Sequence, residues 1–162
     1  MRVEYINPFL ESIQETFSTM LGFAPLRGEV GLSKSGAMAH EITAVIGLTG
    51  PVRGTVALSF PTQTARALVE RLTGQAEEAV EETVSDGLAE LVNMVAGGAK
   101  AKLNGNGSAV IGLSLPTVVR GERCDIEPLK QTVWLDVPYA TDVGPFTLRV
   151  AFEFNSQGGK AA

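Results

Sequence analysis

The chain has 162 residues, 44% of them hydrophobic, enough to fill one core, so a single domain is expected over residues 1–155 with a short flexible tail over 156–162. A formal charge of −5, with 13 scattered Lys and Arg, argues against nucleic acid and against an anionic membrane surface, since both select clustered cations. No apolar run approaches the ~20 residues of a membrane span and the start lacks the apolar core of a signal peptide, so a cytoplasmic location is expected.

Asn7 is placed to cap a first helix with Pro8 at its first position, closing near Gly22 on a core stripe of Phe9, Leu10, Ile13, Phe17, Met20 and Leu21. Strands are expected over 28–33, 41–48 and 53–60, with Thr49-Gly50-Pro51 turning between the last two. A second helix covers 62–72 and stops at Thr73-Gly74. Acidic residues over 77–82 then lead into a long third helix, where they suit the positive end of its macrodipole. That helix ends near Lys102, and Asn104-Gly105-Asn106-Gly107 turns the chain. The turn is no phosphate loop, because it follows a helix instead of opening one and no Lys-Ser or Lys-Thr comes after it. Strands over 109–113, 117–120, 131–137 and 146–154 complete the chain, with Trp134 and Phe152 as core candidates. Pro116 falls between two apolar strand pieces, where its missing N–H and fixed φ bend the strand or place it at an edge.

Cys124 is the only cysteine and His40 the only histidine, so neither a disulfide, a Cys-His nucleophile nor a zinc site is expected, and any metal must come mainly from carboxylates or from a partner. The chemistry-bearing pattern lies instead on the third helix. At about 100° per residue, Val84, Leu88, Leu91, Val92, Val95 and Ala99 form one apolar stripe, with Asp86, Glu90, Asn93 and Gly97 opposite. A packed helix needs a solvated face, and Glu is common there. Asn93 and Gly97 suit that role less well, because Asn is a middling helix former and a mid-helix Gly costs about 1 kcal/mol relative to Ala. The face is polar and flat, as a docking surface would be.

The order Asp86, Glu90, Asn93 and then Pro116 resembles the signature of the CheC, CheX and FliY phosphatases of bacterial chemotaxis. With each residue type at about 5% of positions, a chance match at four fixed offsets is on the order of one in a thousand. The resemblance implies an α+β fold, an antiparallel sheet with two long related helices side by side on its outer face. Asn7, Glu11 and Gln14 repeat the spacing on the first helix, which reads as a lapsed copy, since Gln reaches one methylene further than Asn.

The resemblance also implies an activity, hydrolysis of the aspartyl phosphate of a CheY-type response regulator without a covalent enzyme intermediate. Glu90 and Asn93 would be catalytic, Asn93 orienting the attacking water and Glu90 pairing with the regulator's active-site lysine. Asp86, Gly97 and Pro116 would serve partner binding. Mg²⁺ would arrive on the phosphorylated partner, leaving this chain without a cofactor of its own. A homodimer is expected from the same resemblance and from the Val, Leu and Phe content of the late strands. The alternative is a non-catalytic module that docks a response regulator or a flagellar switch component. Retention of both Glu90 and Asn93 favours the enzyme.

Overall fold

The computed structural model describes residues 5–34, 38–74, 80–105, 110–121 and 133–153. Cys124, Phe154, the tail over 156–162 and the 106–107 part of the Asn/Gly turn lie outside them. Helix α1 (Asn7–Thr16) continues into a π-helical turn, Phe17–Leu21, that ends at Gly22 with φ 78°. Strands β1 (Leu26–Arg27), β2 (Gly31–Ser33), β3 (Ile42–Thr49) and β4 (Arg53–Phe60) precede helices α2 (Thr62–Thr73) and α3 (Glu81–Gly105). Strands β5 (Gly112–Leu113), β6 (Thr117–Arg120), β7 (Trp134–Ala140) and β8 (Phe146–Glu153) follow. No described helix is long and apolar enough to cross a membrane.

The strands form one eight-stranded antiparallel sheet in the order β1-β7-β8-β4-β3-β5, with β2 also paired to β7 and β6 also paired to β3. This order is symmetric about the β4–β8 pair. The first half of the chain contributes β3 and β4 to one side, the second half β7 and β8 to the other. The short strands cross over: β1 and β2 close the edge beside β7, while β5 and β6 close the edge beside β3. Each half therefore completes the other's sheet edge.

Alternation along the strands sends one set of side chains toward the helices. Ile42, Ala44 and Ile46 of β3 stand opposite Phe60, Leu58 and Val56 of β4, and Leu58 and Val56 face Leu148 and Val150 of β8. All of them are buried. Phe9, Ile13 and Phe17 of α1 and Leu88, Leu91, Val92 and Val95 of α3 cover this apolar row. Phe146 stacks between Phe17 and Tyr139, at 4.9 Å from each ring. Burial pushes the Tyr139 hydroxyl up to about 12, so it stays neutral.

The structure revises several expectations. Helix α1 starts at Asn7 itself, with Ile6 in the cap position and no side-chain cap bond, so the proline's preset φ opens the helix without help from Asn7. Met20 is 47% exposed, because the wider π turn rotates it off the apolar stripe that continues through Phe17 and Leu21. The strand expected over 28–33 is confined to β2 at Gly31–Ser33, and β1 precedes it at Leu26–Arg27. The Phe, Leu and Val residues of β8, Phe146, Leu148, Val150 and Phe152, are taken up by the core, and β8 is interior to the sheet.

On the opposite sheet face, Arg149 is 2% exposed and its guanidinium lies over the Trp134 ring at 4.9 Å. Its Nε donates to Asp136 Oδ1 at 2.7 Å, across a directly opposed pair of β7 and β8. Replacing Asp136 with Ala should lower the unfolding free energy by about 2–3 kcal/mol, since a charged donor would stay buried without this acceptor. Urea denaturation checks this, and an unchanged midpoint would show that the pair carries no stability.

Candidate functional site

Helix α3 is 25 residues long, with Glu81 and Glu82 in its first turn and Lys102 in its last, both favourable to the helix dipole. Its inward side, Val84, Leu88, Leu91, Val92, Val95, Ala96, Ala99 and Leu103, is buried. Asp86, Glu90 and Asn93 are exposed on the outward side. Their spacing places successive members one helical turn apart, so the three form a single strip. Among the described residues, no hydrogen bond or ion pair engages the Glu90 or Asn93 side chain.

The matching residues of α1 are held by neighbours. Gln14 Nε2 donates to the Pro25 carbonyl at 2.9 Å. Glu11 lies 3.4 Å from Lys102 Nζ, which also bonds Glu15 at 2.8 Å. The Glu15 hydrogen bond is the main cause raising the Lys102 pKa. The two helices thus carry the same residue spacing, with the polar groups committed on α1 and available on α3.

Contact between the helices runs through Ser12, whose Oγ donates to the Val95 carbonyl at 2.7 Å. A Cβ added at Gly98 would collide with that Oγ, whereas one added at Gly97 would meet nothing within 4 Å. The adjacent glycines therefore differ in role: Gly98 permits the close approach of α1, and Gly97 leaves open space beyond Asn93. Sequence reasoning singled out Gly97 and passed over Gly98. The available signal was a residue too small for its place near the buried stripe.

Pro116 lies between β5 and β6, on a stretch anchored to α3 at both ends. Asn104 Oδ1 accepts from the Ile111 N–H at 3.1 Å, and Arg120 Nη2 donates to Ser85 Oγ at 2.8 Å and to the Glu81 carbonyl at 2.7 Å. From Ile111 to Arg120 an extended chain covers about 30 Å, and from Ser85 to Asn104 a helix covers about 28 Å. The two run antiparallel at matched length, so Pro116 comes level with Asn93. His40 stands elsewhere, with Nε2 3.4 Å from Thr147 Oγ1 on β8, and burial holds its pKa below the ordinary value.

The same stretch contains a register shift that the sequence did not reveal. Leu113 pairs with Leu48 and Thr117 with Val45, leaving Ser114, Leu115 and Pro116 opposite only Gly47 and Ile46. This is a β-bulge, a device that re-aims side chains near the edge of a sheet. The other half repeats it: Arg27 pairs with Tyr139 and Gly31 with Asp136, leaving Gly28, Glu29 and Val30 opposite Pro138 and Val137.

Comparison with known proteins shows the family of the chain. The family described as chemotaxis phosphatase CheX matches residues 42–139, a span that includes Asp86, Glu90, Asn93, Gly97 and Pro116. The chain belongs to the CheX family. It is 31% identical over 128 residues to the CheY-P phosphatase CheX of Thermotoga maritima, covering 78% of this chain and 82% of that one. A chemotaxis protein CheX from Desulfovibrio desulfuricans superposes with a TM-score of 0.83 at 27% identity, over 93% of this chain and all of the other. The CheX of a CheX-CheY-BeF3-Mg complex from Borrelia burgdorferi superposes with a TM-score of 0.78 at 25% identity, over 94% of this chain and 99% of that one.

The glycine pair gives a direct check on this surface. Gly97→Ala should raise stability by up to about 1 kcal/mol, the helix-propensity gain, because its Cβ enters open space. Gly98→Ala should lower it by about 1–3 kcal/mol by forcing α1 away from α3. Thermal unfolding of the two variants measures both, and equal shifts would refute the assignment of different roles.

Proposed function

We propose that this protein hydrolyses the aspartyl phosphate of a CheY-type response regulator in the cytosol, using Asn93 and Glu90 of α3. The observation that carries this reading is the exposed Glu90 and Asn93 pair, unengaged by any described neighbour while Glu11 and Gln14 of α1 are tied down. The Thermotoga maritima relative is a CheY-P phosphatase, and the Borrelia burgdorferi CheX was captured with CheY, BeF3 and Mg²⁺. An outward-facing strip also suits a protein substrate better than a small molecule, which favours a concave and largely apolar site.

A carboxamide is no nucleophile toward phosphorus, so Asn93 acts on water. Its oxygen accepts a hydrogen bond from the attacking water and its nitrogen donates one, and the pair of contacts holds that water in line with the phosphorus. The water oxygen bonds phosphorus as the bond to the regulator's aspartyl oxygen breaks with its electron pair. Inorganic phosphate and a free carboxylate result, with no covalent enzyme intermediate. Mg²⁺ belongs to the regulator and supplies charge neutralisation there. Glu90 pairs with the regulator's active-site lysine, a contact strengthened as water leaves the interface. Asp86, a turn earlier, contributes a further positioning contact. Gly97 gives clearance for the partner's backbone, and Pro116 borders the contact.

Both catalytic positions are exposed, so substitutions there should leave the fold intact. Asn93→Ala should cut single-turnover dephosphorylation by about 10²-fold or more while binding to the beryllofluoride form of the regulator persists. Glu90→Lys should chiefly weaken binding, because two ammonium groups then meet at close range. Gln14→Ala, the control on the other helix, should retain most activity. Undiminished dephosphorylation by Asn93→Ala would overturn the mechanism.

A further inference from the structure

Leu115 is 88% exposed, more than any other large apolar residue described in this chain. It occupies the bulge beside Pro116. Leu113 and Val118 both pack against the core, so strand alternation from Leu113 puts Leu115 on the helix side of the sheet, and the bulge absorbs the odd residue before Val118. The anchors at Asn104 and Ser85 bring this point of the strand level with Asn93.

The bulge is held on both sides. Ser114 N–H donates to the Gly47 carbonyl at 2.9 Å, and Ser114 Oγ accepts from the Gly47 N–H at 2.8 Å. Pro116 has a fixed φ, and Thr117 rejoins the ladder opposite Val45. Little backbone freedom is left at Leu115 to be lost on binding, a form of preorganisation.

The symmetry-related bulge beside α1 has Glu29 and Val30 where this one has Leu115 and Pro116. The fold therefore forms the same bulge without a leucine. At Leu115's own position the other bulge has Glu29, and its exposed apolar residue, Val30, stands one place further on, where this half has Pro116.

We propose that Leu115 is a docking residue that seats in an apolar part of the response regulator's surface bordering its phosphorylation site. Contact at Leu115 contributes affinity and leaves the placing of the water to Asn93. The partner surface it fits is an apolar depression next to a cation, the cation being the group that Glu90 meets. This inference rests on the phosphatase reading above and adds a contact that the Asp, Glu, Asn and Pro spacing does not contain.

The test uses the full-length protein and the regulator that it dephosphorylates, held in its beryllofluoride and Mg²⁺ form for binding and phosphorylated for kinetics. Leu115→Asp should weaken the complex and raise KM by about tenfold or more, the loss expected for removing a leucine-sized apolar contact, with kcat within about twofold of wild type. Leu115→Met, which keeps an apolar side chain of similar volume, should stay close to wild type. Unchanged affinity in Leu115→Asp, alongside lost turnover in Asn93→Ala, would overturn the docking role and leave the phosphatase reading standing. A change of mass by light scattering in Leu115→Asp with regulator affinity intact would assign Leu115 to contact between copies, also against the proposal. If the wild-type protein neither binds nor dephosphorylates any regulator of its genome, the phosphatase reading falls first and the docking role with it.

Discussion

The approach of α1 to α3 at Gly98 governs what α3 can present. A helix serves as a rigid platform only when its inner side is fully consumed by packing, and α3 achieves this with eight buried side chains between the sheet and α1. Any side chain at position 98 would meet Ser12 Oγ, the atom that donates to the Val95 carbonyl. Loss of that approach would tilt or lift α1, and the strip carrying Glu90 and Asn93 would lose the support behind it. Positional precision on the outer face thus depends on a hydrogen-sized residue on the inner one.

Two halves with one plan have separated in what their helices do. Both carry an acid and an amide at the same spacing, and both have a bulged edge strand pair nearby. On α1 the acid is drawn to Lys102 and the amide to a backbone carbonyl. Those contacts occupy the groups within the chain, Gln14 through a hydrogen bond and Glu11 through an exposed ion pair. The extra methylene of Gln14 is part of the reason, because it lets the amide reach Pro25. Polar groups are satisfied locally on one helix, while the other keeps Glu90 and Asn93 exposed.

The proposed activity, on a substrate that is itself a folded protein, accounts for an outward strip that gathers no metal-ligating cluster among the described residues. Much of the catalytic apparatus can then reside on the substrate, and what remains for this chain is to place one water and hold register. Register is where the edge beyond α3 becomes relevant. Arg120 ties the end of β6 to the first turns of α3, and Asn104 ties the start of the stretch to its last turn, so strand and helix move as one body. Contacts made by either would be fixed relative to the other.

Local periodicity and turn chemistry were legible without coordinates. The limits of β4, the end of α2 at Thr73 and Gly74, the inward stripe of α3 and the exposure of Asp86, Glu90 and Asn93 all follow from residue spacing and from glycines and prolines at turns. The resemblance to a known family supplied the α+β class and the candidate site. The placement of β8 inside the sheet, the exchange of short edge strands between halves and the paired bulges depend on which distant segments pair, and spacing within one segment carries no information about that. The same holds for glycines 97 and 98, adjacent and chemically identical, which only the position of Ser12 on another helix tells apart. Met20 belongs with them, since a single π turn, set by packing around Phe17 and Leu21, moved it from the expected core to solvent. Sequence determined the elements and the polar strip because those are local consequences of side-chain pattern, and tertiary structure decided partners, register and close approach because those are contacts between residues far apart in the chain.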